Sequence, residues 1–202
     1  MTSTPVGPDG PQPTRGPRVL IAVASRHGST REIAVALGQA IQESDAGRAA
    51  GITAVVVPVE RQPDAGRFDA VVVGSAVYAG RWLGSGRDYV TAQAAALRTR
   101  PVWMFSSGPI GAPPYPSDEA YDVAPLTALV GARAHRTFPG RLETRLLHFG
   151  ERAMVTAMRA PLGDFRDWSA VAGWGEDIAR ALADEPAVAG PATGRTLVGR
   201  TP

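Results

Sequence analysis

Short apolar runs alternate with segments of helical spacing along the middle of this chain, and this alternation restricts the fold more than any other feature. The run Arg18–Ala24 is apolar at every position after its first, as expected of a parallel strand covered on both faces. Apolar residues then recur at helical spacing from Ser29 to Glu43. Further strands are predicted at Ile52–Val57, Phe68–Gly74, Pro101–Ser106 and Ala132–Thr137, and further helices at Gly84–Arg98 and Trp168–Leu182. The sequence therefore predicts an α/β fold, a doubly wound five-stranded parallel sheet with helices on both faces.

Three polar, glycine-bearing loops follow the predicted strands at their carboxyl ends. They are Ser25–Thr30, Ser75–Trp82 and Ser106–Gly111. Ligands of doubly wound sheets bind beyond these strand ends. The sequence therefore predicts one site built from all three loops.

The first loop, in the stretch ASRHGSTREIA, has the chemistry of an anion site. It opens a helix, whose first N–H groups are unsatisfied and favour a phosphate, and its serine and threonine hydroxyls add donors. A plainer interpretation stays open, in which Ser29 or Thr30 is simply an N-cap with Glu32 nearby. All 21 basic residues are arginine, so a Walker A motif is excluded, and the G-x-G-x-x-G dinucleotide fingerprint is absent as well.

The spacing S-x-x-G-x-T-x-x-x-A-x-x-L, from Ser25 to Leu37, resembles the flavodoxin signature. The resemblance implies FMN as cofactor, with its phosphate in the first loop, the second loop along the isoalloxazine with its backbone at N5, and the third loop beside it. The cofactor-binding residues implied are Ser25, Arg26, His27, Gly28, Ser29 and Thr30, then Ala76, Val77, Tyr78, Ala79 and Gly80, and finally Ser106, Ser107, Gly108 and Pro109.

Two aromatic side chains of the second loop are candidates for stacking on a flavin. Tyr78 is the preferred one, whereas Trp82 either stacks as part of a substrate site or packs under the following helix. His27 is open to two interpretations, a solvent-exposed loop residue or an aid to the phosphate or to proton transfer.

Some thirty residues between Thr137 and Trp168 form an insertion relative to plain flavodoxins, and the insertion is rich in arginine. Residues 131–160 hold six arginines against two glutamates, which indicates an anionic partner rather than nucleic acid. Two interpretations of Arg141–Ala160 stay open. It is an ordinary helix packed on the sheet, or a basic amphipathic helix that lines a substrate mouth or touches anionic lipid.

The stretch AHRTFPGRLETRLLHFGERAM, followed by DFRDW and a closing helix, resembles the menaquinone-dependent protoporphyrinogen dehydrogenases. This resemblance covers about residues 18–182. It implies an FMN-dependent, quinone-linked oxidation of a reduced tetrapyrrole, with Arg145 and Arg152 holding the propionates of the substrate. No side chain stands out as an acid–base catalyst. The alternatives are a flavodoxin-type electron carrier and a flavin-free interaction module.

The amino-acid composition excludes cysteine-based sites and indicates where the folded domain begins and ends. The chain has no cysteine, so disulfides, thiolate metal sites and cysteine nucleophiles are excluded, and we expect no metal site. We expect a domain at 18–183 with its insertion at about 138–167, between disordered Pro/Gly-rich tails at 1–17 and 184–202. A cytoplasmic protein is expected, with peripheral contact to the inner face of the membrane and a homodimer as further expectations.

Overall fold

A computed structural model describes residues 15–108, 120, 122–146, 148–157 and 161–185. The main sheet contains five parallel strands: β1 Arg18–Ala24, β2 Thr53–Pro58, β3 Ala70–Tyr78, β5 Val102–Ser107 and β6 Ala134–Phe138. Their spatial order is β2-β1-β3-β5-β6. A short strand, β4 Arg81–Trp82, pairs antiparallel with the end of β3. The predicted fold class is confirmed.

The helices cover both faces of the sheet. They are α1 Ser29–Glu43, α2 Asp45–Ala49, α3 Gly84–Ala92, α4 Ala94–Leu97, α5 Val123–Val130, α6 Phe149–Ala157 and α7 Trp168–Ala183. Side chains of β1 alternate between the two faces: Val19, Ile21 and Val23 pack with α1 and α7, whereas Leu20 and Ala22 pack with α3, α4 and α5. Burial on both faces explains why β1 has no polar position in its interior.

Several boundaries differ from those predicted. β3 continues through Ser75 to Tyr78 and turns into β4, so most of the predicted second loop is a β-hairpin. The predicted helix Gly84–Arg98 divides at Gln93, whose side-chain carbonyl accepts a hydrogen bond from Ala65 N across the structure. Helices α2 and α5 were not predicted, because each is too short to show a clear helical period.

The insertion also differs from the single helix considered for Arg141–Ala160. It begins with β7 Arg141–Leu142, which pairs antiparallel with β8 Gly163–Asp164, and a 3₁₀ turn at Thr144–Leu146 precedes α6. The chain therefore leaves the domain and returns to it along a two-stranded ribbon.

The folded unit extends slightly beyond the predicted domain limits. The Arg15 guanidinium pairs with Asp69 at 3.3 Å, and the Pro17 carbonyl accepts from Thr53 N. At the other end Glu185 pairs with Arg133. Residues 1–14 and 186–202 of the expected disordered tails lie outside the described residues.

Two glycines offer a test of how tightly the sheet packs. A Cβ at Gly74 in β3 would lie 2.1 Å from the Phe105 ring, whereas one at Gly173 in α7 would meet nothing within 4 Å. We expect Gly74→Ala to lower the free energy of unfolding by about 1–3 kcal/mol through overpacking, and Gly173→Ala to raise it by up to about 1 kcal/mol through helix propensity. Urea unfolding of both variants checks this, and an unaffected Gly74→Ala would contradict the described packing.

Candidate functional site

The register of the sheet brings the three predicted loops to one edge. Ala24 of β1 lies beside Ser75 of β3, Ser75 beside Ser106 of β5, and Ser106 beside Thr137 of β6. These four residues form one row across the carboxyl end of the sheet. The first loop, the β3–β4 hairpin and the third loop therefore leave the sheet next to one another, as the sequence predicts.

The first loop leaves hydrogen-bonding groups unused. Helix α1 has Gly28 as its N-cap, with φ 87° and no side-chain cap hydrogen bond. The interpretation of Ser29 or Thr30 as a simple N-cap is therefore wrong. Ser25 Oγ is buried and has no hydrogen-bond partner in the described structure. A buried hydroxyl without a partner is costly and calls for a ligand group.

These features of the first loop suit a phosphate. Glycine accepts the left-handed conformation at residue 28 without strain, and an uncapped helix start favours an anion. Two other helices of this chain are capped by side chains that accept backbone hydrogen bonds, α2 by Ser44 and α7 by Asp167, whereas α3, α4 and α5 have no side-chain cap, like α1. The residues present therefore fit a phosphate-bearing cofactor such as FMN.

The second loop ends in a tight hairpin that presents Tyr78. Tyr78 pairs with Arg81 across the two-residue turn Ala79-Gly80, and both turn residues have positive φ, 48° and 73°. A type I′ turn requires such angles, and they are unusual for alanine. The Tyr78 ring is 37% exposed. The structure thus places Tyr78 at the surface of the predicted site.

Side chains of the first loop surround Tyr78. The Arg26 guanidinium carbon lies 5.6 Å from the centre of the Tyr78 ring, and the His27 ring lies 6.3 Å from it. His27 also lies 6.1 Å from His148 of the insertion. The first loop, the hairpin and the insertion therefore meet at one place.

Of the two interpretations of Trp82, packing under the following helix agrees with the structure and stacking on a flavin does not, because Trp82 lies in one buried cluster with side chains of α3. Its side chain is 2% exposed, and the indole N–H donates to Ser106 Oγ at 2.7 Å. Ser106 Oγ in turn lies 2.9 Å from His135 Nε2. Trp82 is therefore a core residue rather than a stacking surface or part of a substrate site, and the Ser106 hydroxyl already has protein partners. His135 was missed because nothing in the sequence links it to the other two residues.

Asp122 holds the hairpin in place and was also missed. Both of its carboxylate oxygens accept from Trp82 N at 3.2 Å, and Arg87 Nη1 lies 3.3 Å from Oδ2. Trp82 and Asp122 are forty residues apart in sequence. Only the tertiary structure reveals such a contact.

The third loop lies close to the second. Ser107 is 4% exposed, and a Cβ at Gly108 would lie 2.8 Å from Val77 Cβ, so only glycine permits this approach. Gly108 N donates to the Phe138 carbonyl at 3.3 Å. Pro109 lies outside the described residues.

A network of six charged side chains attaches the insertion to α1. Glu32 of α1 accepts hydrogen bonds from Arg141 at 2.8 and 3.2 Å and from Arg166 Nη1 at 2.6 Å. Arg166 also binds Asp164 through two nitrogens, at 2.7 and 2.5 Å. The Arg166 side chain is 4% exposed and lies 4.5 Å above the Trp168 ring. These contacts fix the ribbon against the first turn of α1.

The network continues outward to one of the predicted substrate residues. Glu143 lies 3.4 Å from Arg141 Nε and accepts from Arg145 Nε at 2.5 Å. Arg145 is 77% exposed. Arg152 lies on α6 and is exposed. Both arginines predicted to bind substrate thus lie on the insertion and face solvent.

Helix α6 stands away from the core. Phe149 is 90% exposed, and of the side chains described on α6 only Val155 is half-buried. The described side chains of α6 give no support to packing on the sheet, and both interpretations of this segment stay predictions. The apolar residues Leu147 and Met158, which suggested such packing, lie outside the described residues.

Comparison with known proteins assigns the family. A family model described as the flavodoxin domain matches residues 20–169. The chain therefore belongs to the flavodoxin domain family. A search of curated protein sequences finds no match. Within the described residues, no helix is long and apolar enough to cross a membrane.

Solved structures share the fold at low sequence identity. A flavodoxin from the domain Archaea is 14% identical with a TM-score of 0.56, and the alignment covers 82% of this chain and 98% of that one. A two-electron reduced flavodoxin from Megasphaera elsdenii is 19% identical (TM-score 0.52, 80% and 98%). The Flv1 flavodiiron core from Synechocystis is 15% identical (TM-score 0.57), and 83% of this chain aligns with 36% of it.

The charge network makes stability depend on pH. Hydrogen bonds from arginine, chiefly Arg166, lower the pKa of Glu32 and of Asp164. A carboxyl group whose pKa is lowered by folding stabilises the folded state at every pH above its ordinary, unfolded-state pKa. This contribution is lost as the pH falls through the lowered pKa of the folded state. We therefore expect the melting temperature to drop on acidification below about pH 5, and to drop less steeply in Glu32→Gln. Melting curves between neutral and acid pH measure both slopes, and identical slopes would contradict the role of Glu32.

The positive φ of Ala79 in the hairpin turn leads to a prediction about stability. Asparagine tolerates the left-handed region better than alanine, and Asn-Gly is the preferred type I′ pair. Ala79→Asn should therefore raise the free energy of unfolding by about 0.5–1 kcal/mol, whereas Ala79→Val should lower it because a β-branched residue is strained there. Denaturant unfolding in the absence of flavin checks both variants. Equal stabilities would show that the turn is not strained.

Proposed function

We propose that this chain binds FMN at the edge formed by the three loops and acts as an oxidoreductase. The observation that carries the proposal is the first loop, where the buried Ser25 hydroxyl without a partner lies beside an uncapped helix start. Membership in the flavodoxin domain family supports it. Bound FMN would supply hydride and single-electron transfer, which no side chain of this chain provides.

The residues of the chain would bind and orient the cofactor. Ser25, Thr30 and the first N–H groups of α1 would hold the phosphate, with Gly28 permitting its close approach. Tyr78 would supply an aromatic face, and the hairpin backbone at Ala79 and Gly80 would bound the ring system. Arg26, 5.6 Å from the Tyr78 ring centre, offers a cationic side chain at the same place.

The substrate we propose is a reduced tetrapyrrole such as protoporphyrinogen, with a quinone as electron acceptor. Its support is the resemblance of the insertion to the menaquinone-dependent protoporphyrinogen dehydrogenases and the arginines that the insertion presents. Arg145 is 77% exposed and Arg152 is exposed, as residues that receive the propionates of an incoming substrate need to be. His148 places the same insertion against the first loop.

The exposed side of α6 favours a peripheral contact with an anionic membrane surface at the cytoplasmic face. Phe149, 90% exposed, lies on the same helix as Arg152, and an apolar ring beside cationic groups is the pattern of interfacial helices. A quinone acceptor dissolved in the bilayer would be reached from this position. The assembly state we propose is a homodimer.

A second candidate is a flavodoxin-type electron carrier. The fold favours it, since the alignments of this chain with three solved flavodoxins cover 97–98% of the length of those proteins. A carrier would bind FMN and exchange electrons with protein partners without turning over a quinone. A flavin-free interaction module is the remaining alternative, and it predicts no flavin binding at all.

The first experiment tests the cofactor. We expect the purified protein to bind FMN, and Ser25→Ala to weaken this binding by about ten- to a hundredfold, because a hydrogen bond to a charged group contributes about 1.5–3 kcal/mol. Ser44→Ala is the matched control, since it removes a hydroxyl that caps α2 far from the site. Flavin fluorescence titration measures the affinities. Absence of FMN binding to the wild-type protein overturns the proposal in favour of the flavin-free module.

The second experiment tests the substrate. We expect the FMN-loaded protein to oxidise protoporphyrinogen with a menaquinone analogue, and Arg145→Glu/Arg152→Glu to lose most of this turnover while it keeps FMN. The control is Arg48→Glu/Arg67→Glu, which reverses two exposed charges ahead of β2 and β3, at the opposite edge of the sheet. Flavin binding without quinone reduction would favour the carrier.

A further inference from the structure

The insertion touches the proposed phosphate site through Arg141. The backbone N–H of Arg141 donates to Ser29 Oγ at 3.2 Å, and its guanidinium binds Glu32 with two hydrogen bonds. The Arg141 side chain is 16% exposed. One residue of β7 is therefore joined to two residues in the first turn of α1.

The hydrogen bond from the Arg141 backbone N–H uses the Ser29 hydroxyl as an acceptor and leaves it free to donate. A serine hydroxyl has one hydrogen to donate and two lone pairs to accept. Because Ser29 Oγ accepts from Arg141, its own hydrogen remains available to an anion at the helix start. Docking of β7 thus prepares Ser29 as a donor to phosphate.

The contact between the Arg141 side chain and Glu32 reduces the repulsion between the Glu32 carboxylate and a phosphate at the first loop. Hydrogen bonds from Arg166 and Arg141 lower the pKa of Glu32 and so favour its charged form. Glu32 is also close to the loop, since a Cβ at Gly28 would lie 3.8 Å from Glu32 Oε1. A carboxylate so close to the loop would repel a phosphate dianion bound there unless the carboxylate is neutralised. Arg141 and Arg166 both donate to Glu32, so the docked insertion neutralises the charge that would oppose the ligand.

We propose that Arg141 couples the docking of the insertion to phosphate binding at the first loop, by orienting Ser29 as a donor and neutralising Glu32. Arg141 is on this view a positioning residue for the phosphate of the cofactor, and the inference rests on the proposed binding of FMN. Coupling between two binding events is reciprocal. Occupation of the loop by a phosphate therefore also holds the insertion in its docked position.

Comparison of FMN with riboflavin tests the inference, because the two ligands differ only in the phosphate. We expect Arg141→Met to weaken FMN binding by about three- to tenfold at low ionic strength, as loss of one nearby charge in a partly screened site implies. Riboflavin binding should change by less than about twofold, since riboflavin lacks the charge concerned. Glu32→Gln should act in the opposite direction and tighten FMN binding, which keeps the test valid if Arg141→Met folds poorly.

Arg180→Met is the matched control. It removes one arginine and one ion pair, with Asp177 at 2.9 Å, on an exposed part of α7. FMN and riboflavin affinities should both stay at the wild-type values in this variant. A change in FMN affinity equal to that of Arg141→Met would show a general effect of net charge and overturn the inference.

Hydrogen exchange tests the reciprocal effect. Amides of residues 141–146 and 163–166 should exchange more slowly with FMN than with riboflavin at equal occupancy, and this difference should disappear in Arg141→Met. Equal protection by the two ligands in the wild-type protein, or equal losses of both affinities in Arg141→Met, overturns the inference and leaves the proposed function intact. Failure of the wild-type protein to bind either flavin overturns both.

Discussion

Parallel pairing of the five main strands is the constraint on which the rest of the structure depends. Parallel neighbours require a crossover after each strand, and the crossovers cover both faces of the sheet with helices. The same pairing brings the ends of β1, β3, β5 and β6 into one row, from Ala24 to Thr137. Three loops that are distant in sequence thereby become neighbours, and their serine and glycine residues lie at the edge where we propose that FMN binds.

The sequence predicts this framework because its signals are local and repetitive. The apolar run of β1 and the helical spacing of α1 each lie within fifteen residues, and the predicted limits of both elements match the structure. The first loop is predicted for the same reason, since its residues directly precede α1. The boundaries of β3 were placed too early, because Ser75 and Ala76 are polar or small and yet fully within the strand.

Contacts between distant residues were beyond sequence reasoning. The sequence leaves Trp82 open between stacking and packing, and the contacts that decide the matter, with Ser106 and through it His135, come from two other strands. The support of the hairpin by Asp122 and the pairing of Glu32 with Arg166 are of the same kind. The arginine-rich insertion was recognised from composition, but its ribbon of two short strands is too brief to give an alternating pattern.

The ribbon also bears on how the domain accommodates the segment between its two strands. Leu142 and Gly163 are paired, so the polypeptide departs and comes back at adjacent points. Because the two ends of the segment 143–162 lie side by side, a change in the length of that segment requires no shift of β6 or α7. The geometry of the main sheet is thereby independent of the length of the excursion.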